Sequence, residues 1–411
     1  MMMQRTTTKI AMKDKIKVIL ILVVILGMSL ILTALIVSRK RNIGEETVSE
    51  FVEPEIIVGG QDSWPMFRGG QQLLGRASGF LPDSLKFAWK FKTSDQIKSS
   101  PAIEDNLVFI GSSDSNIYAI DLKSGRQVWS YKTDDAVEAA PCVVEDSVFV
   151  GSSDEFLYAL DAKNGSLKWK YKTDGQILGA ANWVHSPDGQ MLWILVGSYD
   201  GILHCVDSVT GKAVWTYETD NYINGSPAVD DKKTVFGGCD AMIHVVSLTD
   251  GSEIMQIDAD SYIAASAAFL EGQVYVGNYD NVLIKADITT GKIVWKYTDS
   301  DSPFFSSPAI GQNVVVFGGR DKKVHCVGRN NGKVIWTFKT LGEVDSSPVI
   351  CGDKVIVGSE DGRLYLLRLS DGKQVWSYDI GQPVTSSPAL AKQMVVVGSD
   401  DGYVYAFSAQ R

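Results

Sequence analysis

From Leu85 to the C-terminus the chain alternates apolar and polar residues in short runs, each closed by Gly, Asp, Asn or Ser, and helical spacing is missing throughout. Runs such as Leu107 to Ile110, Ile117 to Ile120 and Gln127 to Lys132 read as strands. Between them stand turns of the form Asp-x-x-(Thr/Ser/Asn)-Gly, as at Asp287 to Gly291. The Gly supplies a positive φ and the Asp can bond its own backbone, so these turns close hairpins.

The turns recur about every 40 residues, with a Trp four residues after the Gly: Gly125/Trp129, Gly165/Trp169, Gly211/Trp215, Gly291/Trp295, Gly332/Trp336 and Gly372/Trp376, with Gly251/Met255 as the variant. Two further signals repeat in phase. Ser99-Ser100-Pro101-Ala102 returns around Pro141, Pro227, Pro308, Pro348 and Pro388, with Ala181 and Ala267 in place of Pro. Gly-Ser-x-Asp, with Gly238, Asn278 and Gly319 as variants of the Ser, has its Gly at 111, 151, 197, 237, 277, 318, 358 and 398. Both signals occur eight times, which predicts a repeat array of four-strand units.

Strand counting sets the topology. The last unit ends at Val404 to Phe407 without a fourth strand, while Lys86 to Thr93, which carries Trp89, is a fourth strand with no unit before it. An unfilled sheet edge invites aggregation, and exchange of this strand closes the ring. The fold class is therefore all-β: an eight-bladed β-propeller over residues 85–411, closed by an N-terminal strand.

What precedes the propeller differs in chemistry. Residues 18–37 are 20 uncharged, mostly apolar residues, long enough at 1.5 Å per residue to cross a bilayer. The run lacks a signal-peptidase exit and leads into Arg39-Lys40-Arg41, so it reads as an uncleaved signal anchor. Residues 1–17 carry Arg5, Lys9, Lys13, Lys15 and Lys17 against Asp14, which places the N-terminus in the cytoplasm and the propeller outside. Residues 38–61 form an acidic tether with Glu45, Glu46, Glu50, Glu53 and Glu55. Residues 62–84 bring Trp64, Met66 and Phe67, expected to cap one end of the repeat body.

The net charge of −10 offers no basic footprint for nucleic acid. The five cysteines, Cys142, Cys205, Cys239, Cys326 and Cys351, are far apart and predict no disulfide framework. His204 and His325 each precede a Cys, but with His244 they occupy the register of Tyr118, Tyr158, Tyr365 and Tyr405, so they read as variants of a core aromatic rather than metal ligands. Asp114, Asp154, Asp200, Asp240, Asp280, Asp321, Asp361 and Asp400 share one turn context and read as loop caps.

The stretch Lys285-Ala286-Asp287-Ile288-Thr289-Thr290-Gly291-Lys292-Ile293-Val294-Trp295 resembles the tryptophan-docking motif of the quinoprotein-type (PQQ-like) eight-bladed propellers. The resemblance implies that Trp89, Trp129, Trp169, Trp215, Trp295, Trp336 and Trp376 join neighbouring blades. The family holds both pyrroloquinoline quinone (PQQ) dehydrogenases and non-enzymatic, BamB-like binders. In the former, PQQ lies between a Trp and a ring of two adjacent disulfide-linked cysteines, with Ca²⁺ on carboxylate and amide ligands. This chain has neither a Cys-Cys pair nor a Cys-x-x-Cys-His, so no cofactor is expected, PQQ with Ca²⁺ being the alternative.

Information therefore lies where the repeats differ. Just before each Ser-Ser-Pro signal stand Lys98, Glu138, Leu178, Asn224, Ala264, Phe305, Asp345 and Thr385. Tyr199, Tyr222, Tyr262, Tyr279, Phe304 and Phe305, flanked by Arg320, concentrate aromatics in the same loops of units three to six. Aromatics beside Arg are the residues that anchor protein interfaces, so a protein or peptide partner is expected on this face.

Overall fold

The computed structural model describes residues 62–230 and 232–409. The expected membrane helix, its basic N-terminal segment and the acidic tether lie outside the described residues. Among the described residues no helix is long and apolar enough to cross a membrane.

Eight sheets of four antiparallel strands form the blades. The first comprises Ala102–Glu104, Leu107–Ser112, Asn116–Asp121 and Gln127–Lys132. The eighth comprises Ala389–Ala391, Met394–Gly398 and Tyr403–Ser408, completed by Lys86–Lys92 on Tyr403–Ser408, so the N-terminal strand does close the ring. The second and third strands of a blade are packed on both faces and read as continuous apolar runs. The outermost strand packs on one face only, hence the alternation along Gln127–Lys132, where Trp129 is buried between exposed neighbours.

Three contacts repeat around the ring. The first is a knob in a glycine notch. Val137 of blade two fills the space beside Gly111 of blade one, where a Cβ would stand 2.4 Å from the valine side chain, and the pattern closes with Ile97 on Gly398. Here Gly is needed for room, its φ being ordinary. The second is the indole joint. Trp129 lies flat on Gly165 of the next blade, with an added Cβ 2.6 Å from its ring, and its N–H donates to the Ala162 carbonyl at 3.0 Å. Gly165 thus serves twice, since its φ of +73° also makes the turn. The third is a serine belt considered with the channel below.

Residues 64–77 run as a strap along the innermost strands. Trp64 pairs with Ile103 of blade one, and Val143 of blade two donates to the Pro65 carbonyl. Asn182 and Val229 of blades three and four both donate to Gln71, Phe269 to Gln72, Ile310 to Leu74 and Ile350 to Gly75. Arg76–Ala77 then adds a short parallel strand to Val349–Cys351 of blade seven. Each inner strand would otherwise leave unpaired backbone groups at the axis.

At the joint between blades three and four Trp215 still lies on Gly251 but its N–H finds no hydrogen-bond partner among the described residues, and the joint between blades four and five departs further. Met255 replaces the indole, and a Cβ added at Gly291 would stand 3.8 Å from its sulfur, against 2.5–2.7 Å from the indole at the other glycine joints. A flexible thioether fills the space without a directed N–H. Amide hydrogen exchange is expected to find Glu253–Asp258 and Lys292–Tyr297 the fastest outer strands of the ring; finding them the slowest overturns this reading.

Candidate binding face

The residue before each Ser-Ser-Pro signal follows a buried Ile, Val or Phe knob and precedes a buried Ser, Ala or Gly, so its side chain is forced toward the axis. As a result Lys98, Glu138, Leu178, Asn224, Ala264, Phe305, Asp345 and Thr385 surround one mouth of the central channel, a cavity of about 190 Å³. Deeper in stand Ser100, Ala140, Ala180, Ser226, Ser266, Ser307, Ser347 and Ser387, with Phe67 of the strap. Ile103, which pairs with the strap, lies three residues beyond Ser100, about 10 Å further along the chain. The channel therefore opens at the loops and the strap crosses its other end.

The serines are bound to one another's blades. The backbone N–H groups of Ala180, Ser226, Ser266, Ser307, Ser347 and Ser387 each donate to the serine Oγ of the next blade at 2.8–3.0 Å, the last reaching Ser100. The belt is broken only where Ala140 and Ala180 lack a hydroxyl. Each bond ties a fixed backbone group of one blade to its neighbour, which holds the mouth in shape.

The aromatics cluster on blades three to six. Tyr199 and Tyr222 stack at 5.0 Å between centroids, and Tyr279 touches both Tyr262, at 6.2 Å, and Phe305, at 4.7 Å. Tyr222, Tyr262 and Tyr279 are 51%, 52% and 40% exposed. Arg320 lies over the Phe305 ring at 3.7 Å and forks onto Asp345 with bonds of 3.1 and 2.7 Å. Glu343 and Glu360 stand beside Asp345, the three carboxylates offering oxygens within 4.8 Å of one another. Burial, then repulsion from Asp345 and Glu343, pushes the Glu360 carboxyl above its ordinary range. Burial, with Glu138 and Asp401 contributing, does the same to Asp400.

Sequence expectations at Phe304, Asp400 and Asp280 are corrected. Phe304 is not on the face: it is fully buried against Phe317 and His325, because it occupies the knob register held by Ile97, Val137 and Ile263 in other blades. The loop cap of blade eight is Asp401, which accepts from the Tyr403 N–H and the Tyr405 hydroxyl, while Asp400 takes the variable position and accepts from Thr385. Asp280 also lacks the common role, Asn278 accepting the Val282 N–H instead.

Three of the four histidines are engaged on both ring nitrogens. His204 contacts Asp200 at 3.0 Å and Tyr171 of the preceding blade at 3.0 Å; His244 and His325 repeat this with Asp240 and Tyr217, and with Asp321 and Tyr297. Burial alone would raise the three carboxyls, but the hydrogen bond from each histidine, joined at Asp321 by that from Lys323, leaves them below their usual range. The sequence did not disclose these inter-blade triads, although a Tyr two residues after each preceding Trp marks them.

The mouth does not fit PQQ. Its ring holds no indole to floor a flat tricycle, and the one thiol beside it, Cys239, is single and accepts from Asn224 at 3.0 Å.

Comparison with known families agrees with this architecture. A profile described as the β-propeller of the beta-alanine-activating enzyme matches residues 180–411, more than half the chain, and one described as outer membrane protein assembly factor BamB matches residues 76–190. The chain belongs to the PQQ-like β-propeller family. No curated protein matches it by sequence. Among solved structures it is similar to BamB from Moraxella catarrhalis, at 18% identity and a TM-score of 0.66, covering 79% of this chain and 100% of that one. The computationally designed Ika8 protein shares 20% identity at a TM-score of 0.69, with coverage of 79% and 100%. Quinohemoprotein alcohol dehydrogenase from Comamonas testosteroni shares 13% identity at a TM-score of 0.72, with coverage of 86% and 81%. At such identities these PQQ-like neighbours establish the fold alone.

Proposed function

We propose that this propeller is a binding module for a protein partner, held at the membrane by residues 18–37 and facing the extracytoplasmic side. The observation that carries the reading is the rim of exposed Tyr222, Tyr262 and Tyr279 beside a mouth fixed by the serine belt. Rigid aromatics lose little entropy when covered and bury large areas, which is why they dominate interface energetics. The family description of an outer membrane protein assembly factor supports a place among envelope proteins. The apolar run and the basic excess before it support the anchor and its orientation.

A photo-crosslinking side chain at position 222 or 279 is expected to yield a discrete protein adduct in cells, whereas one at Val128, exposed on an outer strand, yields none. Tyr222→Ala with Tyr279→Ala should reduce that adduct, probed from position 262, at least several-fold with unchanged thermal melting. Equal adducts from 222 and 128 remove the proposal. Protease added outside spheroplasts should digest the propeller; protection until lysis overturns the orientation.

A further inference from the structure

We propose that the channel mouth receives one lysine side chain presented by the partner. This rests on the reading of the aromatic rim as a protein-docking face and adds what the partner must carry.

The rim is chemically two-sided. Opposite the tyrosines, among the described residues, Glu138, Glu343, Asp345, Glu360 and Asp400 stand with the cations Lys98, paired to Glu138 at 2.8 Å, and Arg320, paired to Asp345 at 2.7 Å and Glu343 at 3.2 Å. Five carboxylates against two cations leave an attractive field for a third cation and a repulsive one for an anion. Burial and mutual repulsion already disfavour the charged forms of Glu360 and Asp400, and an entering cation relieves that.

The wall and depth fit a long apolar stem with a charged tip. Leu178, Ala264 and Phe305, with Asn224 between the first two, line one side of the cavity. From Phe305 to Ser307 the chain descends two residues, about 7 Å of extended backbone, comparable to a four-carbon stem.

At that depth the serine belt supplies the receiving groups. Ser226, Ser266, Ser307 and Ser347 are buried, line the cavity, and each accepts one backbone N–H. Among the described residues none of the four donates its own hydroxyl proton, and each oxygen keeps a second lone pair. An ammonium has three donors and no acceptor, so it matches these lone pairs.

The full-length chain in detergent is titrated with acetyl-Tyr-Leu-X-Leu-Tyr-amide, X being lysine, norleucine or glutamate. Lysine is expected to bind roughly tenfold more tightly than norleucine, which keeps the stem and lacks the charge, and glutamate more weakly than either. The lysine advantage should shrink with rising salt and disappear in the Glu138→Gln, Asp345→Asn variant. Should that variant melt early, Glu360→Gln makes the same comparison.

Norleucine or glutamate binding as tightly as lysine overturns the inference, as does a lysine advantage that survives the charge variants. The two readings fail separately. Loss of the lysine preference while adducts from 222 and 279 persist leaves the docking face standing. A lysine preference without such adducts removes the docking face.

Discussion

Replacing Trp129 with alanine is expected to destabilise the propeller by about 3–5 kcal/mol, a large part of a stability of order 5–15 kcal/mol. The side chain is buried, packs on Phe109 at 5.8 Å between centroids, and bonds the Ala162 carbonyl of the next blade. Its removal leaves a flat cavity against Gly165. That glycine cannot collapse into the cavity because its own turn fixes it. Truncation also strands the Ala162 carbonyl at a buried joint. Denaturant titration followed by circular dichroism gives the loss directly. Trp376 provides the internal comparison: it is only partly buried, meets Phe407 edge-on at 5.5 Å, and should lose clearly less. A Trp129→Ala loss below about 1 kcal/mol would mean that the indole joints do not carry blade cohesion.

The same regularity explains how much of the molecule the sequence disclosed. Each blade must solve the same problem at the same joint, so Gly and Trp recur in phase and the fold, its eightfold count and the strand exchange can be counted. The channel mouth is legible for a related reason. A position between two invariably buried neighbours must point at the axis, and all eight residues from Lys98 to Thr385 do line it. For Phe304 two signals conflict: its aromatic character points to the face, while its register, which in every other blade holds Ile or Val, points to the core, and register wins. At Asp400 two aspartates stand together, and it is the Tyr403 N–H and the Tyr405 hydroxyl that distinguish Asp401 as the cap.

Other features had no repeating signal to find. Glu343, Asp345 and Glu360 come from two separate turns of one blade and meet only when those turns fold against each other. Arg320, expected as a flank of the aromatics, is held by Asp345 and Glu343 while stacked on Phe305, so it shapes the rim as well as charging it. The strap is aperiodic, and its course over seven blades could not be derived from spacing.

Within the strap, Arg68→Met is expected to stabilise the protein by roughly 1–4 kcal/mol, the range found when buried charges give way to apolar side chains of similar volume. Arg68 is 2% exposed, and its Nε, Nη1 and Nη2 have no hydrogen-bond partner among the described residues. Burial pushes the guanidinium down to about 9, still above neutral pH, so the charge is retained at a desolvation cost. Methionine keeps an unbranched stem and removes the charge. The position also has a steric partner: a methyl group on Gly75 would stand 1.8 Å from Nη2 and at a φ of +59°. Gly75→Ala should therefore destabilise strongly beside Arg68 and less in the Arg68→Met background, where the remaining cost is that of the backbone alone. Thermal melts of the four proteins in this cycle measure both effects. A lower melting temperature for Arg68→Met would show that the guanidinium, despite its burial, is a net support of the strap.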